Sequence, residues 1–257
     1  MNCTRSCSLY QPGIFVYIAQ MRKIFIADAH LRSPQDRNYQ TLVRFLDTLP
    51  ADTDTLYLLG DIFEFWIGNP RPVYGHYGAI VDCLKRVRAR GVRIVYFEGN
   101  HDFHLGGFFR DELQAEVHPG AAELEIAGKK VCLCHGDQVN RADHQYRALR
   151  FVLRSPLVRA LVPVFPRRVA DRIAVKLSLR SNRQHAVRKS RWDYPRILEN
   201  FARERFASGC DLVLTGHFHL PMELREGERV FIALGDWITH YSYAQWTDAG
   251  ITLERFD

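Results

Sequence analysis

Met21-Arg-Lys-Ile-Phe-Ile-Ala-Asp28-Ala-His30 is the stretch on which the reading of this chain turns. Lys23–Ala27 is strand-like, and Asp28-x-His30 stands at its end. Four later polar clusters repeat that placement: Gly60-Asp61 after Thr55–Leu59, Gly99-Asn100-His101-Asp102 after Val92–Phe97, His135-Gly136-Asp137 after Lys130–Cys134, and Gly216-His217-Phe218-His219 after Asp211–Leu214. Five of the eleven histidines fall in these clusters, so the clustering is not an effect of histidine abundance. In open α/β sheets, ligands gather beyond the carboxyl ends of strands. Five such ends can therefore serve one site.

Between the strands lie helical segments. Gln35–Leu49 is entered through Ser33-Pro34, a cap followed by proline, and Tyr74–Arg90 is ended by Gly91. Glu123–Ile126 and Lys130–Cys134 read as a hairpin across Ala127-Gly128. The βαβα order predicts an α/β domain with parallel strand pairing. From about Asn140 to Ala207 the periodicity turns helical, broken by Pro156, Pro163 and Pro166, which predicts a helical insertion or cap over about residues 140–208. Strands resume at Met222–Arg225, Arg229–Ala233 and Ile251–Phe256. Residues 21–257 are thus expected to form one domain carrying the cap. Met1–Gln20 reads as an N-terminal extension ahead of a natural start at Met21, and is expected to be poorly ordered.

Composition sets outer bounds. The 257 residues are 47% hydrophobic and 25% charged, ordinary for a folded globular chain. No apolar run reaches the roughly 18–20 residues that span a bilayer. The six cysteines show neither zinc-finger spacing nor a disulfide framework, so a reducing cytoplasm is the simplest setting. The net charge of +6 is uneven: Arg141–Arg191 holds fourteen Lys and Arg against Asp143 and Asp171, a local +12 that leaves −6 elsewhere. A basic segment on an acidic body predicts an anionic partner, such as a phosphorylated molecule or an anionic lipid surface. No recognition-helix, zinc-finger or RNA-binding sheet motif supports specific nucleic-acid binding.

The residue types of the five clusters carry the chemistry. Carboxylate and imidazole together suit manganese, iron, cobalt, nickel or zinc. Asp28 and His30, like His217 and His219, are expected to point the same way from extended backbone, where side chains have a period of two. Glycines before Asp61, Asn100 and His217 allow close approach of the main chain. Taken singly, each cluster is more often a turn or a satisfied polar group. Their conjunction in one chain and in this order is what argues for a site.

That order resembles the calcineurin-like metallophosphoesterase signature, from Ile24 to about Phe256. The resemblance implies a four-layer αββα sandwich and two divalent metals, manganese foremost. In such a site Asp28, His30, Asp61 and His219 would hold one metal. Asp61 would bridge to the second, held also by Asn100, His135 and His217. His101 would face the scissile phosphate as the catalytic residue, with Asp102 orienting its ring. The implied reaction is attack by a metal-bound hydroxide without a covalent intermediate.

Gly60-Asp61-Ile-Phe63-Glu64-Phe65-Trp66, Gly-Asn-x-Asp-Phe103, Asp143-x-x-Tyr146-x-x-Leu-Arg150 and Leu234-Gly235-Asp236-Trp237 look like UDP-2,3-diacylglucosamine pyrophosphatases of lipid A synthesis. That narrower resemblance implies release of UMP and an acylated sugar phosphate from an acylated nucleotide sugar. It also implies a cap that takes the acyl chains, and peripheral contact with the inner face of the cytoplasmic membrane. Substrate contacts would come from Asn100, His101, Asp143, Ser181, Arg188, Lys189 and His217. Asp143 reads equally well as a helix cap. Trp66 reads more readily as packing than as a base-stacking residue, and His240 as a surface or core histidine. Leu149, Phe151, Val152 and Leu157 interleaved with Arg147, Arg150, Arg154 and Arg159 suit an acylated, phosphorylated substrate, or an amphipathic cap with its arginines in solvent. One departure stands out: the best-known lipid A enzymes carry arginine where this chain has His101. This leaves open an alternative, a soluble metallophosphoesterase acting on another nucleotide or phosphodiester.

Overall fold

The computed structural model describes residues 21–68, 75–161 and 191–257. The expectation for Met1–Gln20, and the nominations of Ser181, Arg188 and Lys189, lie outside the described residues.

Two sheets form the centre. The first has the order β13-β12-β1-β2-β4-β6, built from β1 (Arg22–Ile26), β2 (Thr53–Leu58), β4 (Arg93–Phe97), β6 (Glu116–His118), β12 (Ser242–Thr247) and β13 (Gly250–Arg255). The second has the order β10-β11-β9-β8-β7, from β7 (Ala122–Ile126), β8 (Lys129–Cys134), β9 (Leu212–Thr215), β10 (Pro221–Glu226) and β11 (Arg229–Leu234). A short pair, β3 (Trp66–Ile67) and β5 (Asp102–Phe103), lies beside the site. The predicted parallel pairing holds for β1-β2-β4-β6 and for β8-β9-β11. Antiparallel hairpins at the edges make both sheets mixed.

Strand alternation builds the layers. In β1 and just after it, Ile24 and Ile26 face one way, and Phe25 and Ala27 the other. Phe25, Ala27, Tyr57, Leu59, Val95 and Phe97 meet Val131, Leu133, Leu212, Leu214, Ile232 and Leu234, which makes the core between the sheets. On the outer face of the first sheet, Ile24, Ile26, Leu58 and Tyr96 pack on α1 (Arg37–Asp47), α2 (Gly78–Ala89) and α3 (Gly106–Leu113). The buried residues of α1, Tyr39, Leu42, Phe45 and Leu46, recur at the three-to-four spacing of a helix stripe. On the outer face of the second sheet, Cys132, Val213 and Phe231 receive Leu198, Ala202 and Phe206 of α6 (Tyr194–Ala207). The result is the expected αββα order of layers. Each fully buried Leu, Ile or Phe contributes roughly 1.5–3 kcal/mol, so these three clusters supply the bulk of the driving force.

The segment after β8 carries α4 (His144–Leu153) and α5 (Pro156–Leu161). Asp143 caps α4, its side chain accepting from the Tyr146 amide at 3.0 Å. None of α4 or α5 is buried in the core. Two arginines nevertheless dock this segment instead of standing in solvent. Arg150 Nε lies 2.6 Å from Asp137 Oδ2, and Arg154 donates to Glu98 Oε2 at 3.0 Å and to the Gly99 carbonyl at 2.7 Å. Among the described residues no helix is long and apolar enough to cross a membrane. Cys83, Cys132, Cys134 and Cys210 are buried free thiols.

Candidate metal centre

Asp28 and His30 follow β1, Asp61 follows β2, Asn100 and His101 follow β4, His135 follows β8, and His217 and His219 follow β9. Main-chain hydrogen bonds sew these loops together. Asp28 N donates to Gly60 O at 3.0 Å, His30 N to Asp61 O at 2.9 Å, Gly216 N to His135 O at 2.8 Å and Trp237 N to Asp28 O at 3.0 Å. Side chains tie further: Asp61 Oδ1 accepts from His101 N at 2.8 Å, and Asp28 Oδ2 from His217 N at 2.7 Å.

The backbone corrects one expectation. Asp28, His30, Asp61, His217 and His219 all have positive φ, between 44° and 71°. They converge by left-handed turns just past the strand ends, not by the period-two alternation of extended chain. Asp and His tolerate this region better than most residues, and non-glycine residues held there cost of order 1–3 kcal/mol each. The loop-to-loop hydrogen bonds hold them there. Glycine is required where loops press together: a Cβ on Gly60 (φ 84°) would stand 2.6 Å from His135 Nδ1, and one on Gly216 would stand 2.5 Å from Asp28 Oδ2.

The side chains gather in two groups that meet at Asp61. In the first, His30 Nε2 and His219 Nε2 are 3.3 Å apart. Asp28 Oδ1 lies 3.5 Å from His219 Nε2, and Asp61 Oδ2 lies 3.7 Å from His30 Nε2. In the second, His135 Nε2 is 3.4 Å from Asp61 Oδ2 and 3.1 Å from Asn100 Oδ1. His217 stacks edge-on to His135, ring centres 5.1 Å apart. Asp28-His30-His219 and Asp61-His135-His217 each bring their ligand atoms within 4.8 Å of one another. The first group also passes a chemical test: Asp28 Oδ1 is fully buried and has no hydrogen-bond partner among the described residues. A buried carboxylate oxygen left so is costly unless a cation faces it.

Electrostatics follow from this crowding. Burial would lift the Asp61 carboxyl, but His135, His101 and His30 hold it well below the usual range. Burial lowers His135, yet Asp61 beside it wins and pushes it up to about 10. Burial, with His135 alongside, drives His217 down to about 3. Burial lowers His219 too, but Asp28 outweighs it and the net shift is upward.

Asp102 does not orient His101 as expected. Its carboxylate is fully buried and accepts the amides of Asp61 at 2.9 Å, Ile62 at 2.7 Å and Gly99 at 2.9 Å, and the Tyr96 hydroxyl at 2.5 Å. It is a brace between two loops. His101 is held by the Glu64 main-chain carbonyl, 2.8 Å from Nδ1. Trp66 is 1% exposed, packed among Phe63, Tyr77, Phe108 and Phe109, so no ligand can stack on it. His240 is partly exposed and lies 2.8 Å from Asp236 Oδ2.

Three residues at the site had no assigned role in the sequence reading: Glu64, Asp137 and Asp236. Asp137 accepts from the Tyr146 hydroxyl and Arg150, both at 2.6 Å, and so anchors α4 directly behind His135 and His217. All three sit within motifs already marked by their neighbours, which is the signal that could have found them.

A family model described as calcineurin-like phosphoesterase matches residues 21–221. A UDP-2,3-diacylglucosamine hydrolase of Porphyromonas gingivalis is 31% identical over 91% of this chain and 97% of its own length. Proteins of the same description from Aeromonas salmonicida and Photorhabdus laumondii are 34% and 30% identical. These cover 84% and 92% of this chain and 86% and 99% of their own lengths.

Proposed function

This chain belongs to the calcineurin-like phosphoesterases, metal-dependent hydrolases, and on that premise we propose that it cleaves the pyrophosphate of UDP-2,3-diacylglucosamine to UMP and the acylated sugar phosphate. Asp28, His30, Asp61 and His219 would hold one divalent cation, and Asp61, Asn100, His135 and His217 the other. When bound, two such cations supply positive charge to the phosphoryl oxygens and lower the pKa of a water molecule. Water oxygen bonds to phosphorus, the bond from phosphorus to the leaving phosphate oxygen breaks, and the displaced proton passes to solvent. His101, its Nδ1 engaged by Glu64, offers Nε2 to a phosphoryl oxygen or to the leaving oxygen. Asp102 keeps the Asp61 and Gly99 loops in register.

The observation that carries the hydrolase reading is the convergence of His30, His135 and His219, all with Nε2 turned toward the carboxylates of Asp28 and Asp61. Two points support the lipid substrate. The match to the Porphyromonas protein spans 91% of the chain, so at most about 23 residues fall outside it, and most of the basic cap is included. Five of the seven large apolar side chains exposed among the described residues, Leu149, Phe151, Val152, Leu157 and Leu161, lie on α4 and α5. Apolar surface beside the exposed Arg147 and Arg159 suits acyl chains next to phosphate, and peripheral contact with an anionic membrane. Asp143 and Tyr146, at the start of α4, would stand at the sugar end.

His101 favours a second reading, hydrolysis of another nucleotide or phosphodiester. Purified protein with manganese, given UDP-2,3-diacylglucosamine beside bis(p-nitrophenyl) phosphate, separates the two. Chelator-sensitive UMP release supports the first. Turnover of the generic diester alone rejects it in favour of the second.

A further inference from the structure

Two carboxylates stand behind the metal-facing histidines. Glu64 Oε2 faces His30 Nδ1 at 3.5 Å, and Asp236 Oδ2 faces His219 Nδ1 at 3.8 Å. The opposite ring atoms, both Nε2, turn inward. Each carboxylate is fixed in turn. Arg32 Nη2 donates to Glu64 Oε1 at 3.0 Å. Asp236 accepts the amides of Ile238 at 2.8 Å and Thr239 at 2.6 Å, and the Thr239 hydroxyl at 3.1 Å. These bonds anchor each carboxylate through its other oxygen, and Asp236 Oδ2 is shared between His219 and His240, whose Nδ1 lies 2.8 Å away.

The other side of Asp61 is built differently. His135 Nδ1 is backed by the neutral Leu59 carbonyl at 2.8 Å. Asp137, the nearby acid, is neutralised by Arg150. Asn100 is a neutral donor where the first group has Asp28. A carboxylate behind a metal-bound imidazole fixes its tautomer and raises its basicity, and removing such a partner typically costs 10–100-fold in metal affinity. Charge and backing therefore both favour one group over the other.

Resting on the two-metal reading, we propose that Glu64 and Asp236 are positioning residues that hold His30 and His219 with Nε2 inward. They make Asp28, His30, Asp61 and His219 the tighter of two unequal cation sites.

The test reads metal, not turnover. Manganese-loaded protein is equilibrated with graded chelator, bound metal is counted by mass spectrometry, and electron paramagnetic resonance separates paired from isolated ions. The unsubstituted protein should release one ion well before the other. Asn100→Ala, which weakens the neutral side, should keep one ion at undiminished tightness. Adding Glu64→Gln or Asp236→Asn to Asn100→Ala should loosen that ion by about 10–100-fold, with the circular dichroism unchanged. Should Glu64→Gln not fold, Glu64→Asp keeps the charge, withdraws it by one methylene, and should loosen the ion by a smaller factor. Undiminished retention in a double variant removes that residue's role, and simultaneous release of both ions from the unsubstituted protein overturns the asymmetry. Failure of the unsubstituted protein to bind manganese would sink the two-metal reading itself, and is recognised because it precedes any substitution.

Discussion

The Nδ1 atom of His101 lies 2.8 Å from the main-chain carbonyl oxygen of Glu64. A carbonyl can only accept, so this nitrogen carries a proton. The ring is set edge-on to His30, centres 4.7 Å apart. A main-chain partner fixes the ring without adding charge behind it.

His101→Ala should therefore keep its metal and lose activity by about a hundred- to ten-thousand-fold, the range for losing one positioned acid or base. Asp61→Ala should lose metal and activity together, because Asp61 meets both histidine groups and also ties down the His101 amide. Metal analysis beside kcat distinguishes the two. Full activity of His101→Ala on every phosphoester tried would remove the role given to this ring.

Gly99→Ala should empty the site without touching a ligand. A Cβ there would press on Asp61 Oδ1 and stand 2.5 Å from the Asp61 amide. Overpacking of this kind costs about 1–3 kcal/mol, and here it displaces the carboxylate shared by both groups. The expected result is a folded protein, by circular dichroism, with less than one equivalent of metal. Two equivalents retained would contradict it.

His135 predicts proton release on metal binding. Its raised value of about 10 means that metal-free protein holds this proton at pH 7.5, and a cation must displace it. Calorimetry in buffers of different ionisation enthalpy should report close to one proton released from His135, and affinity should weaken as pH falls. The linkage sign for the metal-free fold is opposite: the raised value contributes stability that is complete below about 6.5 and is lost as pH rises toward 10. Metal-free protein should accordingly melt at lower temperature at pH 9.5 than at pH 6.5, and no such fall would count against the pairing of His135 with Asp61.

Arg154→Ala should cost about 3 kcal/mol, since it strips the partner from a largely buried Glu98. Urea denaturation measures the loss. Because Arg154 also grips the Gly99 carbonyl, next to Asn100, limited proteolysis should cut α4 and α5 sooner in the variant. An unchanged digestion pattern would show that these helices are docked by other means.

What was readable in the sequence was local. Polar residues just past β-prone runs marked all five loops of the site, and nine strands and the helices α1 and α2 were found within a few residues. What was missed depends on distant partners. β12 is the alternating Ser-Tyr-Ala-Gln-Trp-Thr, yet its place beside β1 rests on pairs such as Phe25 with Ala244. α3 opens on two glycines, poor helix formers, and is held by the burial of Phe108, Phe109 and Leu113. The left-handed turns at Asp28 and His30 come from hydrogen bonds to the Asp61 loop, which no window around residue 28 contains. The roles of Glu64 and Asp102 were hidden for the same reason, because their partners sit on other loops.

The pairing of β1 with β12 also has a temporal side. Synthesis delivers Asp28 and His30 early, but their partner His219 much later. The strand that flanks β1 on its other edge, and the Trp237 amide that caps the Asp28 carbonyl, come later still. A nascent chain cannot assemble the complete centre until His219, Trp237 and β12 have been made. Until then β1 lacks its neighbour on that edge, and the Asp28 carbonyl lacks its Trp237 partner.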